Sequence, residues 1–319
     1  MFSYDKGIKI RAIPLWLDAV RRVKACCVSH AHMDHAKRHE LVIATNQTIR
    51  LFQKRVGRTR FHNVSFRTPF DFEGHQVTFF PAGHVLGSAQ ILVERNGTRL
   101  LYSGDFNTRK SATAEEIVIP ESDILIMEST FGRPRYRFPA RDIVVGKLLD
   151  FVNDSLIMGK TPVVLAYALG KSQEAMKILG DAGFRMAVHG SIASLAKVYE
   201  EFGIDFGRWE KIRKKDLDGK VLIFPRATID NRFLGRLENK RTVFLSGWAM
   251  DPRTKFRNKV DEALPLSDHA DFEGLLEYVK KVNPRRIYTT HGFTEYAGYL
   301  RALGYDASEL NPSAQLSLF

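Results

Sequence analysis

Between Ser29 and Ala36 the chain reads Ser-His-Ala-His-Met-Asp-His-Ala, which puts His30, His32, Asp34 and His35 within six consecutive residues. Imidazole and carboxylate are the donors that zinc and related divalent ions take. The segment ahead, Ala25-Cys26-Cys27-Val28, is apolar and reads as a buried strand. Residues two apart on an extended chain point the same way, so His30 and His32 can converge on one ion as the strand ends. Asp34 and His35 follow where the chain turns toward a helix, and can aim at a second ion. The competing reading is a His-rich surface turn; an ordered pattern behind an apolar strand argues against it.

Composition narrows the setting. The chain has 319 residues, 44% of them hydrophobic, enough for one large domain or two of ordinary size. Its formal net charge of +12 points to a polyanionic partner, nucleic acid first and an anionic membrane second. Cys26 and Cys27 are the only cysteines and are adjacent, so no disulfide framework is expected. That favours a reducing compartment, and a cytoplasmic location is the expectation. No apolar run has the length of a membrane span. Residues 13–20 are apolar but contain Asp18 and lead straight into the histidines, so they do not read as a signal peptide.

Other metal-ligating types fall where strands give out. Residues 8–13 and 14–17 are short apolar stretches, and the second ends at Asp18, either a turn residue or a carboxylate that orients a ligand imidazole from behind. Residues 41–44 and 61–66 read as further strands. Val77-Thr78-Phe79-Phe80 runs into Pro81-Ala82-Gly83-His84. Residues 89–94 and 99–103 flank Asn96-Gly97, a strong hairpin signal, and the second strand ends at Gly104-Asp105. Residues 123–127 form a strand ending in Glu128. The middle then changes character: helices over 140–153, 170–179 and 191–202 alternate with strands at 162–166, 186–188, 221–224 and 243–245. That alternation predicts an α/β unit with a parallel sheet. Later, Leu266-Ser267-Asp268-His269-Ala270-Asp271 precedes an amphipathic helix over 272–282, and a strand over 286–289 ends in Thr290-His291-Gly292.

His30-Ala31-His32-Met33-Asp34-His35, then His84, then Asp105, resembles the ligand series of the metallo-β-lactamase fold, with Asp18 as its first acidic motif. Glu128, His269 and His291 resemble the three additional motifs of the β-CASP nucleases. Leu245-Ser246-Gly247-Trp248 and the stretch around His269 are similar to those of the ligase-associated DNA exonucleases, in a family that also holds Artemis-like DNA nucleases and pre-mRNA 3′-end endonucleases. The resemblance covers nearly the whole chain. It implies an α/β protein: an αββα sandwich built from residues 1–146 and 263–319, with residues 147–262 as the inserted β-CASP domain.

It also implies two divalent ions, zinc on ligand type with manganese as the alternative. One would take His30, His32 and His84, the other Asp34, His35 and His291, with Asp105 between them. Asp34, Glu128 and His269 form the expected catalytic set: His269 as general acid, Glu128 as its hydrogen-bond partner. The substrate implied is nucleic acid, DNA in repair or replication as the first expectation, RNA as the second. A small-molecule ester or thioester hydrolase and a non-catalytic nucleic-acid-binding protein are the remaining readings; the long middle region, the charge and the full ligand series weigh against them. Candidate phosphate contacts are Lys171 and Ser172 at a helix start, Ser246 and Gly247, and Arg133, Arg135 and Arg137, for which a solvated surface is an equal reading. His39, His62, His75 and His189 lack ligand context and read as structural. Gln315, Leu318 and Phe319 resemble a sliding-clamp docking peptide, with a frayed or core-docked terminus as the competing account.

Overall fold

Alternation of apolar and polar residues builds the first sheet. In Ile8–Ile10 and Leu15–Leu17 the outer residues are buried, while Lys9 and Trp16 between them face the other way. Antiparallel pairing joins Phe2–Tyr4 to Ile8–Ile10 and Ile8–Ile10 to Leu15–Leu17. Parallel pairing then adds Ala25–Cys27, Leu41–Thr45 and Arg60–Val64. The computed structural model describes residues 1–4, 7–213, 217–228 and 232–310. They gather into two units, one made of Met1–Tyr136 and the residues from His269 onward, the other of Arg137–Asp268.

In the first unit a second sheet runs in the order Ala307–Glu309, Arg286–Gly292, Ile124–Ser129, Thr98–Tyr102, Ala89–Arg95, His75–Pro81 and Phe70–Phe72. Ala89–Arg95 and Thr98–Tyr102 are the hairpin that Asn96-Gly97 announces. Both turn residues have positive φ, 49° and 74°, as a tight turn between twisted strands requires. Ile10, Leu15, Leu17 and Ile43 of the first sheet share one buried cluster with Phe79, Ile91, Val93, Leu100 and Ile126 of the second, so the core lies between the sheets. Each such side chain contributes about 1.5–3 kcal/mol of apolar burial.

Helices cover both outer faces. The helix Asn46–Arg55 lays Ile49 and Phe52 against Cys26, Val28, Val42 and Ala44. Phe272–Val282 and Tyr296–Ala302 lay Leu275, Tyr278, Val279 and Leu300 against Leu92, Leu101, Leu125 and Met127. Phe272–Val282 starts where the Asp271 carboxylate accepts the Gly274 N–H (2.9 Å) and stops at Asn283, whose left-handed φ of 51° ends the helix. The unit is therefore a helix–sheet–sheet–helix sandwich made from both ends of the described chain.

The second unit has a parallel sheet in the order Trp209–Lys211, Met186–Val188, Val221–Pro225, Thr161–Ala166, Lys240–Leu245 and Glu262–Leu264. Its central strands are buried from Pro162 to Ala166 and from Val221 to Pro225, as a sheet covered on both faces demands. Helices Arg141–Ile157, Lys171–Asp181 and Gly190–Glu201 alternate with them. Among the described residues no helix is long and apolar enough to cross a membrane. Gln315, Leu318 and Phe319 lie outside the described residues.

Candidate metal centre

Strand ends in the first unit deliver the histidines. Ala25–Cys27 is fully buried and carries the chain to His30, which is also buried. His30 Nε2 lies 3.0 Å from His32 Nδ1, and His32 Nδ1 lies 3.1 Å from His84 Nε2. Asp105 Oδ2 stands 3.5 Å from His30 Nε2 and 3.8 Å from His84 Nε2. The ligand atoms of these four residues all fall within 4.8 Å of one another. A second group, His35, Asp105 and His291, meets the same limit, so Asp105 belongs to both. Asp34 sits at the rim: its side chain is 70% exposed, with Oδ2 3.8 Å from His35 Nε2.

The polypeptide aims each ring from behind. His84 starts a loop in which the Ser88 hydroxyl accepts the N–H groups of both His84 and Val85 (3.1 Å each). Asp18 Oδ1 accepts the Ser29 N–H (2.8 Å). Its Oδ2 gathers His35 Nδ1 (2.7 Å), the Tyr102 hydroxyl (2.9 Å) and the Ser29 hydroxyl. His35 is thereby turned so that Nε2 faces Asp105. Ser29 and Tyr102 were not singled out from the sequence. The Tyr102 hydroxyl reaches Asp18 across the sandwich, a pairing that no local spacing signals.

His291 arrives by a different device. Glu128 pairs with Thr290 but Ser129 pairs with Gly292, so His291 is the extra residue of a bulge. Its φ of 49° is left-handed, and its ring stacks on that of His35 at 4.9 Å. A side chain at Gly292 would put a Cβ 2.0 Å from the Ser129 carbonyl oxygen, so only glycine lets the strands close here.

Charge in the cluster is strongly coupled. Burial, and then the His35, His84 and His32 rings, hold His30 well below the usual imidazole range. Burial opposes a proton on His35, but Asp105 and Asp18 outweigh it and raise His35 to about 10. Burial likewise opposes the Asp105 charge, and the His35, His269, His84 and His291 rings overcome it, holding that carboxyl well below the usual range. The buried carboxylates thus demand positive charge. His35 Nε2 is buried and makes no hydrogen bond. Convergent ring nitrogens, a carboxylate between two groups and an orphaned imidazole nitrogen are the donor set a divalent cation takes.

Glu128 and His269 stand beside this set. Both Glu128 oxygens lie 3.0 Å from His269 Nδ1, and Oε1 also accepts the Phe106 N–H (2.8 Å). The His269 ring packs on His84 at 4.6 Å. Arg109 Nη2 donates to Asp271 (2.6 Å) and the Ala270 N–H to the Phe106 carbonyl (2.8 Å), which tie the His269 loop to the Asp105 loop.

A family model described as "Zn-dependent metallo-hydrolase RNA specificity domain" matches residues 257–312. A protein of Opitutus terrae named "Probable DNA ligase" is 38% identical over 99% of this chain, which spans 32% of that protein. The "DNA cross-link repair protein SNM1" of Arabidopsis thaliana is 24% identical over 88% of this chain, which spans 65% of it. The chain belongs to the β-CASP metallo-β-lactamase nuclease family. A solved structure of a protein of unknown function from Enterococcus faecalis has the same fold, with a TM-score of 0.64 at 15% identity, covering 90% of this chain and 79% of that one. Several sheets in a mixed α/β chain fit a metallo-β-lactamase fold with an inserted domain.

Candidate nucleic-acid contacts fall into two sets. Arg133 lies over the Phe293 ring at 4.0 Å and pairs with Glu295; Arg135 lies over the Tyr136 ring at 4.8 Å and donates to its hydroxyl (2.9 Å). Arg137 is exposed at the start of the second unit. Within that unit Lys171 is buried and ion-paired with Asp268. Ser172 donates to the Tyr167 carbonyl (2.7 Å). The Ser246 hydroxyl accepts the Trp248 N–H (3.3 Å), and Gly247 is buried. An anion at Lys171 would have to displace a carboxylate, because the polar groups of this helix start already have internal partners. Of the other histidines, buried His75 lies 3.3 Å from Arg95 Nη1, buried His39 accepts the Val23 N–H, and His189 caps a helix at Ser191. His62 packs against Phe70.

Proposed function

We propose that the chain is a metal-dependent nuclease that hydrolyses phosphodiester bonds, with DNA as the principal substrate and repair or replication as the setting. The observation that carries the reading is the Glu128–His269 pair: a histidine held at Nδ1 by both oxygens of a buried carboxylate, beside a polyhistidine cation site. Phosphodiester cleavage needs neutralised phosphate oxygens, an attacking water and a proton for the leaving alkoxide. His30, His32, His84 and Asp105 would hold one divalent ion, zinc on donor type, and His35, His291 and Asp105, with Asp34 at the rim, would hold a second. When bound, such ions supply an activated water and counter the phosphate charge. His269 supplies the proton from Nε2, since Nδ1 is committed to Glu128. Glu128 fixes the ring and its tautomer. Arg133 and Arg135, held flat against aromatic rings, meet the phosphates of the bound strand.

DNA is favoured by the names of the relatives from Opitutus terrae and Arabidopsis thaliana. RNA is the second reading, favoured by the description of the family model over residues 257–312. The sliding clamp is a proposed partner through Gln315, Leu318 and Phe319. End-labelled single- and double-stranded DNA and RNA, incubated with zinc or manganese, test the proposal. Cleavage of DNA in preference to a matched RNA is expected, with Asp105→Ala inactive. No cleavage of any strand by metal-loaded protein overturns the nuclease reading, and preference for RNA overturns the DNA assignment.

A further inference from the structure

In the second unit one surface turn is built inside out. The short helix Arg253–Arg257 points Thr254 inward, where it is buried and its hydroxyl donates to the Trp248 carbonyl (2.6 Å). Asn258, four residues on, donates to the Thr254 carbonyl (2.7 Å) and accepts from Arg226 Nε (2.6 Å). These polar residues anchor the turn. Residues at i, i+3 and i+4 share a helix face, so Arg253, Phe256 and Arg257 stand together on the opposite side. Phe256 is 75% exposed, and Trp248, whose carbonyl holds the turn, is 39% exposed. The Arg253 and Arg257 side chains are 67% and 62% exposed, and both pair with one carboxylate, Asp251.

A single exposed phenylalanine is ordinary. This one is flanked on its own face by two guanidiniums, with Lys255 and Lys259 in the same run of sequence. From Asp251 to Lys259 there are four cations and one carboxylate, and that carboxylate steers two of the cations. Aromatic faces interleaved with cations suit unpaired nucleic acid, because each exposed base can stack while its phosphates meet the cations. A duplex hides its base faces. A membrane surface fits less well: interfacial helices bury a broad apolar face, and this five-residue helix offers one ring.

We propose that Phe256, with Arg253 and Arg257, forms a contact for single-stranded nucleic acid on the second unit. A base stacks on Phe256 and the two arginines take the adjoining phosphates. The proposal rests on the nuclease reading only for the choice of polyanion.

The test is equilibrium binding of labelled oligothymidylate to the full chain in EDTA, where no turnover intervenes. Phe256→Ala is expected to weaken binding about tenfold, with Phe256→Trp restoring it and duplex binding unchanged. Arg253→Ala with Arg257→Ala should flatten the dependence of log affinity on log salt by roughly 1. An unaltered melting temperature for Phe256→Ala is expected, because the ring lies outside the core. Wild-type affinity for oligothymidylate in Phe256→Ala overturns the proposal. So does a loss confined to anionic phosphatidylserine vesicles. A chain that never cleaves can still pass this test, and one that cleaves can still fail it, so the two readings fall separately.

Discussion

His269 differs from the other cluster histidines in what faces its second nitrogen. His35 is hydrogen-bonded to Asp18 at Nδ1, and its Nε2 makes no hydrogen bond but stands 3.5 Å from Asp105 Oδ2. His269 has Glu128 at Nδ1 and packs its ring on His84, and the proposed mechanism assigns proton delivery to its Nε2. Glu128→Gln keeps the shape and removes the charge; it should slow cleavage by about 10²-fold, and His269→Ala by ~10²–10⁴-fold. Metal content, measured on the same samples, should stay at the wild-type value. Loss of metal in step with activity would instead make the pair part of the cation site. His39 offers a test of stability without chemistry. Burial lowers it to about 4, and its Nδ1 accepts the Val23 N–H, a bond that only the neutral ring can make. With the folded value depressed below the unfolded one, the unfolded chain binds more protons as pH falls from about 6.5 toward 4. Stability should therefore drop by about 2 kcal/mol between pH 7 and pH 5 from this group alone. Urea midpoints at the two pH values check it: His39→Gln should show a smaller drop than the wild type.

At the scale of elements, a bulge and a glycine place His291. Gly292→Ala forces a Cβ into the Ser129 carbonyl, and the strands Ile124–Ser129 and Arg286–Gly292 must part to accommodate it. The substitution should cost about 2 kcal/mol or more and lower the metal content of the purified chain. Wild-type metal loading with a lowered melting temperature would separate the bulge from the site. The bulge also marks what the sequence could and could not convey. Histidines and carboxylates after apolar runs were legible because strands end abruptly and ligand types are few, and the series from His30 to His291 is placed in one unit. The helices Asn46–Arg55 and Tyr296–Ala302 were not anticipated. The first is mostly polar, with Thr45 as its cap, and the second spans seven residues, too short for a helical period to stand out. Lys171 was legible as a cation at a helix start, but its partner Asp268 lies almost a hundred residues away in sequence. Side-chain pairings at that separation leave no local pattern.

For the whole molecule, the two histidine groups around Asp105 draw, among the described residues, on both segments of the first unit. His30, His35, His84, Asp105 and Glu128 come from Met1–Tyr136, while His269 and His291 come from beyond Asp268. A divalent ion held there would tie the strand Arg286–Gly292 to the loops that follow Ala25–Cys27 and Thr98–Tyr102. An ion that binds only the folded state stabilises it by about 4 kcal/mol when present at a thousand times its dissociation constant. At ~2–4 °C per kcal/mol for a domain of this size, chelation should lower the melting temperature by ~8–16 °C. The loss should also be local. Hydrogen exchange in chelator should quicken in Arg286–Gly292 and in the loops carrying His35 and His269. Exchange in Thr161–Ala166 at the centre of the second sheet, whose unit supplies no ligand to either histidine group around Asp105, should keep its rate. Equal quickening in both units would mean that they unfold as one, and the stabilisation would then belong to the whole chain. An unchanged rate everywhere would mean that the cluster folds without its ion and that the carboxylates around His35 are satisfied by its proton alone.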